Sequence, residues 1–340
     1  MFYHPVKIGP VTVPGNLFLA PVAGYSDRAF RSVCRTGGAD FAYTEMVSAE
    51  ALTRHSEKTH LLMLPAQNES QYAIQIFGGT PEVMGKATEL ILSGTMLEKN
   101  PDVIDINAGC PVPKIVKTGA GSALTRDPDR LYAITKAVAQ MADEKTNGTV
   151  PVTVKIRSGW DSSHITWKEA AEAAIEAGAA AITLHGRTRA QGYEGKADWS
   201  TLADLVSFVA QKTDKKVPVF GSGDIFTPYD AQKMFEQTSC DGVMFARGAM
   251  GNPFIFIQTR QLLQAGSFDE IPATERISAG MAELKCLIAD TGEESACRQM
   301  RKRFCAYSKG IPGGPALRSA IISAKTEQDY INLFSEVGCL

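Results

Sequence analysis

VPVTVKIRSGWDSSHITWKEAAEAAIEAGAAAITLHG, residues 150–186, reads as a strand, a helix and a second strand. In the first segment, Val150–Ile156, apolar Val152, Val154 and Ile156 alternate with Thr153, Lys155 and Arg157, the period of a pleated strand. Helical spacing follows over Lys168–Ala177, and Ala181–His185 returns to alternation. Two strands joined through a helix form a parallel unit. Working outward, further strands are expected at Asn16–Ala20, Asp40–Thr44, Tyr72–Phe77, Asp102–Asn107, Val217–Gly221 and Gly242–Ala246. Helical patterns fall between most of them, among them Glu82–Leu92, Asp129–Ala142 and Ala203–Gln211. Eight such units ending near Pro253 fit the length of a TIM (β/α)8 barrel, about 250 residues. An open doubly wound sheet fits less well, because no GxGxxG follows the first strand.

Past Phe254 the strand pattern stops, and helices are expected at Ile255–Leu263, Ala273–Asp290, Glu294–Tyr307 and Pro315–Ser323, with a turn at Gly310–Pro315. The expected division is a catalytic barrel over residues 1–254 and a small all-α helical domain over residues 255–340. The 340 residues carry 35 basic and 37 acidic side chains, so net charge says nothing about nucleic acid. The seven cysteines are odd in number and form no CxxC pair, which argues against a disulfide framework and a zinc site and suits a reducing cytoplasm. No His, Cys or carboxylate cluster has metal-ligand spacing. The N-terminal MFYHPVKIGPVTVPGN lacks the pattern of a signal peptide, and no apolar run is long enough to span a bilayer. A cytoplasmic protein with no membrane and no metal is expected, and a monomer in the absence of a heptad seam.

Chemistry in such a barrel sits at the C-terminal ends of the strands. Lys155 and Arg157 would face inward there, either paired with a carboxylate such as Asp105 or meeting an anionic or electron-rich ligand. His185 ends the sixth strand, before a polar loop. Gln75 lies within an apolar strand, where an amide offers both a donor and an acceptor to the edge of a heterocycle or serves the structure. Cys110 follows the fourth strand in a Gly109-Cys110-Pro111 turn; an ordinary thiol, pKa about 8.5, is protonated near neutrality and can act as a general acid. Cys34 and Cys240 read as inert core residues. Glycine-rich loops after strands seven and eight, VFGSGDI (Val219–Ile225) and FARGAMGNPF (Phe245–Phe254), suit a phosphate, with Arg247 beside one of them. Together these residues suggest a phosphate-bearing cofactor, with a lysine and a glutamine for its ring and a thiol acid opposite it, and FMN fits this better than NAD. From Ala296 through Thr326 there are seven basic residues and no acidic one; Arg298, Arg301 and Lys302 share a helix face and suit RNA phosphates. Tyr307 either stacks on a base or fills the small core.

LAPVAGYSDRAFR (Leu19–Arg31), YTEMVSAEAL (Tyr43–Leu52), IQIFG (Ile74–Gly78), DINAGCPVPK (Asp105–Lys114), VKIRSGW (Val154–Trp160), LHGRTRAQGY (Leu184–Tyr193), GSGDI (Gly221–Ile225) and ARGAMGNP (Ala246–Pro253) occur in one order across the barrel. This set, with AGSAL (Ala120–Leu124) after the cysteine, resembles the tRNA-dihydrouridine synthases, most of all the bacterial B-type subgroup. The resemblance implies an FMN-dependent enzyme that reduces the C5=C6 bond of particular uridines in the D-loop of tRNA, with NADPH as reductant. It implies that Ala20, Pro21 and Val22 line the flavin, with valine at position 22 where methionine is frequent, and that Gln75, Lys155 and His185 lie against the flavin ring. Gly223 and Gly248, with Arg247, would hold the cofactor's phosphate, and Gly221 and Asp224 would also bind the cofactor, Ser222 standing where asparagine is frequent. Asn107, Arg157 and Tyr193 would touch the uracil, Cys110 would protonate C5, and the helical tail with Arg298, Arg301 and Lys302 would bind tRNA. Two rivals are a dihydroorotate dehydrogenase-like barrel acting on a free pyrimidine and a non-catalytic RNA-binding protein. The basic tail speaks against the first, and the set Gln75, Cys110, Lys155 and His185 against the second.

Overall fold

A computed structural model describes residues 2–54 and 56–340. Its eight barrel strands are Leu17–Leu19, Phe41–Ala42, Ala73–Phe77, Val103–Ala108, Val152–Asp161, Ala181–Thr188, Val219–Ser222 and Gly242–Phe245. Neighbours in this order pair in parallel, and the eighth pairs with the first. The ring closes between the second and third strands through a Tyr43–Ala73 bridge and a short continuation, Val47–Ser48, paired with Ile76 and Phe77. All eight strands expected from the sequence are therefore present. The fifth and sixth run on past Ile156 and His185 as far as a Gly159–Thr188 pair at the mouth.

The period-two alternation divides each strand between two cores. Outward-facing Ile74, Ile76, Ile104, Ile106, Val152, Val154 and Ile156 pack under the helices. Inward-facing Phe18, Phe41, Ala73, Val103, Phe220 and Met244 fill the lower barrel, where the Phe18 ring stands edge-on to Phe220 and Phe41 at centroid distances of 4.8 and 6.2 Å. A hairpin of Val6–Ile8 and Val11–Val13 presses Val6, Ile8 and Val13 into that inner layer and plugs the N-terminal end. Strands of three residues carry too little periodicity for the hairpin to be read from sequence.

The tail differs from expectation in two respects. Helix Ile255–Ala265 packs against the preceding barrel helix, Pro228–Thr238, and its Ile255 and Phe256 belong to the barrel core. The change of core thus falls between Gly266 and Ala273, not at residue 254, because an apolar helix face followed the last strand as it follows the others. A further helix, Glu327–Glu336, was not expected; a capping box between Thr326 and Asp329 starts it, and Tyr330 and Phe334, one turn apart, anchor it. With Ala273–Thr291, Glu293–Tyr307 and Gly314–Ser323 it encloses the second core, around Phe304. Among the described residues no helix is long and apolar enough to cross a membrane.

Buried charge joins the two cores. Arg303, 1 % exposed, pairs with Glu283 in the tail and with Asp27, which caps barrel helix Arg28–Thr36. Tyr307 donates its hydroxyl hydrogen to Glu283 at 2.7 Å, so it is a core residue and not a stacking platform. Arg303, counted from sequence in the basic run, is likewise structural. Arg303→Met would strand Glu283 in apolar surroundings, and removing one partner of a buried ion pair costs about 3–5 kcal/mol. Urea unfolding of Arg303→Met should show a loss of that size, and an unchanged midpoint would contradict it.

Candidate functional site

A cavity of about 330 Å³ opens at the C-terminal ends of the barrel strands. Below it lies Asp105, fully buried on the fourth strand. A buried carboxylate requires donors, and it has Thr153 Oγ1 and Gln75 Nε2, each at 2.6 Å. Burial nonetheless pushes its pKa up to about 6, against those two hydrogen bonds and the charge of Lys155. Because Gln75 donates downward, its Oε1 accepts from Asn107 Nδ2 at 2.8 Å. Asn107 Oδ1 in turn accepts the backbone N–H groups of Gly109 and Cys110, at 3.1 and 2.8 Å. One buried acid thereby orients two amides and the turn that carries the thiol.

Ala20, Pro21, Val22, Gln75, Asn107, Cys110, Lys155, Arg157, His185, Tyr193, Gly223, Asp224 and Arg247 all line the cavity. Lys155 has no hydrogen-bonding or ion-pair partner among the described residues. Burial and the neighbouring Arg157 push its pKa down to about 8. Of the two alternatives for Lys155, a carboxylate partner or a ligand, Asp105 thus contributes only electrostatic attraction. Arg157 Nε donates to the Gly109 carbonyl at 2.8 Å, and Nη1 donates to the carbonyls of Thr188 and Gly192 at 2.9 and 3.0 Å. It ties together the loops that follow the fourth and sixth strands, burial pushes its pKa down to about 10, and Nη2 keeps no partner among the described residues. Burial also raises the Cys110 thiol above its ordinary value, opposed by the Val112 N–H and by Arg157 and Lys155.

Burial, and then the charges of Lys155, Arg157, Arg187 and Arg247, hold His185 well below the usual imidazole range, so it is neutral. Arg187 Nη1 lies 3.3 Å from His185 Nε2; since arginine only donates, that nitrogen accepts and Nδ1 carries the hydrogen. Sequence reasoning passed over Arg187, although it shares the inward parity of Thr183 and His185. Its guanidinium also donates to the Glu194 and Gly195 carbonyls and to Asp224. Asp224 accepts from Arg247 as well, at 3.1 Å, and Arg247 lies over the exposed rings of Tyr193 and Phe226, 4.7 and 5.0 Å from their centroids. Phe226 and Met46 are cavity residues without a sequence signal.

Gly221, expected among the cofactor residues, does not line the cavity. A Cβ there would meet Leu202 and Met234, each at 2.5 Å, so this position faces the helices and not the cavity. At Gly223, with φ +115°, a Cβ would meet His185 Cδ2 at 2.8 Å, so only glycine lets this loop approach the ring. Gly248 lies outside the lining and supports the wall, where a Cβ would meet the Ile225 carbonyl at 2.2 Å. Arg298, Arg301 and Lys302 do not line the cavity. Arg298 is exposed and pairs with Glu294, Arg301 donates to the Ala324 carbonyl, and Lys302 reaches the barrel, donating to the Gly24 carbonyl at 2.8 Å above the Tyr25 ring. Among the described residues no group of three or more His, Cys, Asp or Glu side chains is placed to hold a metal ion.

The family model described as "Dihydrouridine synthase (Dus)" matches residues 18–337. A "Probable tRNA-dihydrouridine synthase" of Treponema pallidum is 54% identical over 328 residues, 96% of this chain and 94% of that protein. The "tRNA-dihydrouridine synthase B" of Pseudomonas aeruginosa is 36% identical over 315 residues, 92% and 90% of the two chains. Among solved structures, DHODH of Eimeria tenella in complex with ferulenol superposes with a TM-score of 0.54 at 15% identity, covering 77% of this chain and 85% of that one. Histamine dehydrogenase of Rhizobium sp. 4-9 gives 0.54 at 13% identity, with 84% and 50% covered. These two likenesses show the fold.

The hydrogen-bonded chain above Asp105 makes a local prediction. Asn107→Ala leaves the buried Cys110 N–H without its acceptor, at about 1–3 kcal/mol. The amides of Gly109 and Cys110 should then exchange with deuterium faster than in the wild type, and unchanged protection would show that the loop is held by other means.

Proposed function

The chain belongs to the dihydrouridine synthase family, and from that premise we propose that it reduces the C5=C6 bond of uridine in tRNA, with FMN as its resident cofactor and NADPH as reductant. The observation that carries the flavin reading is the floor of the cavity. There, among the described residues, Lys155 lacks a partner and Gln75, pinned by Asp105 and Asn107, keeps one N–H and one lone pair unused. A flat heterocycle with acceptors and donors along its edge fits that pair. The close approach allowed by Gly223, with Arg247 at the rim, fits the phosphate end.

In this reading Ala20, Pro21 and Val22 line the ring edge, Gln75 and Lys155 hydrogen-bond it, and neutral His185 lies beside it. Asp224 serves the phosphate indirectly by aiming Arg247, and Gly248 by supporting the loop wall. FMN held by these residues would supply hydride-transfer chemistry towards C6 of the uracil, with NADPH as the source of electrons. Cys110 gives its Sγ proton to C5. Arg157, through its remaining nitrogen, stabilises the charge that grows on the O4 carbonyl as C6 is attacked, within a cavity whose field is already positive. Asn107 positions Cys110, since both ends of its amide are committed. Tyr193 stands 59 % exposed at the mouth, where the uracil enters after leaving its stack.

Anaerobic enzyme reduced with NADPH and mixed with unmodified tRNA should reoxidise rapidly, while free uridine or orotate leaves it reduced. A flavin that stays reduced with tRNA, or a protein that binds no flavin, would overturn the reading. Cys110→Ala should keep its flavin spectrum and form dihydrouridine about 10²–10⁴ times more slowly in a single turnover. A general acid works only while protonated, and burial raises this one. The single-turnover rate should therefore stay flat through neutrality and fall only above the ordinary thiol range, about 8.5. A fall beginning near pH 7 would exclude Cys110 as the donor.

A further inference from the structure

The loop that follows Cys110 carries Lys114, Lys117 and Arg126 and no acidic residue before Asp127. It is bound to the thiol's own turn, Ser122 N–H donating to the Cys110 carbonyl at 3.0 Å. At its end the Arg126 guanidinium carbon lies 4.5 Å from the centroid of the Trp160 ring. From the loop after the sixth strand, Arg189 lies 4.7 Å from the same centroid. Two like charges are thus held against one indole. Among the described residues neither has a carboxylate within 4 Å. The acids that adjoin Arg126 and Trp160 in sequence are engaged elsewhere: Asp127 caps helix Pro128–Thr146 and pairs with Arg130, and Asp161 pairs with His164. Arg189 Nε is buried and has no hydrogen-bond partner. Lys114 and Lys117 are exposed and equally unpaired among the described residues.

Cation–π contact offsets part of the repulsion between two guanidinium groups but supplies no counter-charge and accepts none of their in-plane hydrogens. Such a pair is complete only with an anion whose geometry suits the planar fork, and phosphate does. The position sharpens this. In the ring of eight strands the fifth, which leads to Trp160, stands opposite the first. The loop after the first strand is the one that Lys302 and Arg303 of the tail contact. Strands about 4.8 Å apart, tilted about 36°, close a ring about 15 Å across. Cations therefore stand at both edges of a narrow mouth, with the cavity between them.

We propose that Arg126 and Arg189, held against Trp160, grip backbone phosphates of the RNA on the side of the mouth facing away from the helical tail, so that the strand is tethered at two edges with the target nucleotide over the cavity. The proposal rests on the reading of RNA as substrate. The tail then is not the sole RNA-binding surface, and the loop that carries the acid is itself part of the grip.

The test is binding of unmodified tRNA to the oxidised holoenzyme between 50 and 200 mM salt, for the wild type, Arg126→Gln, Arg126→Lys and the Arg126→Gln/Arg189→Gln double variant. Each lost phosphate contact should reduce the slope of log K against log salt by about 0.7–0.9 and weaken binding about sixfold at 0.1 M salt. The double variant should lose about twice that slope, and Arg126→Lys should restore the wild-type slope by keeping the charge. Arg126 is exposed and Arg189 half-buried, so the flavin content, which should match that of the wild type, checks that each variant folds. If the double variant binds with wild-type slope and affinity while wild-type enzyme is reoxidised by tRNA, the proposal fails and the functional reading stands. If wild-type enzyme neither binds tRNA nor is reoxidised by it, the reading fails and carries the proposal with it.

Discussion

A carboxylate with no access to water governs the upper half of this barrel. Asp105 cannot remain charged on the barrel axis without donors, and the fold gives it a hydroxyl from one neighbouring strand and an amide from the other. That requirement passes upward. Gln75 has to turn its nitrogen down, so its oxygen turns towards Asn107, and Asn107 is left with an oxygen for the backbone of the cysteine turn. None of these amides is free to flip. The cavity floor is therefore rigid before any ligand arrives, the condition under which dipoles act on a reacting group without reorganisation. Arg157 and Arg187 extend the same logic sideways, each donating to carbonyls of the loops around the mouth. The loops around the site are thus fixed by cations that the strands hold in place.

The helical tail is joined to this frame by buried charge as well as by apolar packing. Arg303, Glu283 and Asp27 form one network, and Asp27 is at once the cap of the first barrel helix and the partner of the tail. A cap residue shared in this way links the stability of a barrel helix to the docking of the tail. Gly251, in the loop after the eighth strand, approaches Ala306 so closely that a Cβ would meet its carbonyl carbon at 2.4 Å. The tail is consequently seated against the mouth loops of the first and eighth strands, beside the cavity and not over it.

Much of this was legible in the sequence because strand parity is a rigid rule. Val103, Asp105 and Asn107 had to share a face, as did Thr153, Lys155 and Arg157, and the structure places them so. The same rule, applied to Val219 and Gly221, would have sent that glycine outward; reading it as part of a glycine motif obscured its parity. Arg187 was legible too, had the sixth strand been extended past the glycine after His185. Other features were beyond reach. That Asn107 is wholly committed, and that Arg303 pairs inward while Arg298 points outward, depends on contacts between distant segments that leave no local period. The two cores change over past Gly266 and not at residue 254, because an eighth barrel helix and a first tail helix have the same sequence pattern, and only their packing tells them apart.

The hairpin beneath the barrel has a consequence for traffic. With Val6, Ile8 and Val13 seated under the Phe18, Phe41 and Phe220 layer, the tube is stoppered at one end. Whatever reaches the cavity enters by the mouth and leaves by the same way. Two visitors each large enough to cover that opening cannot be present together, so they must take turns, and the order of events is imposed by a single doorway.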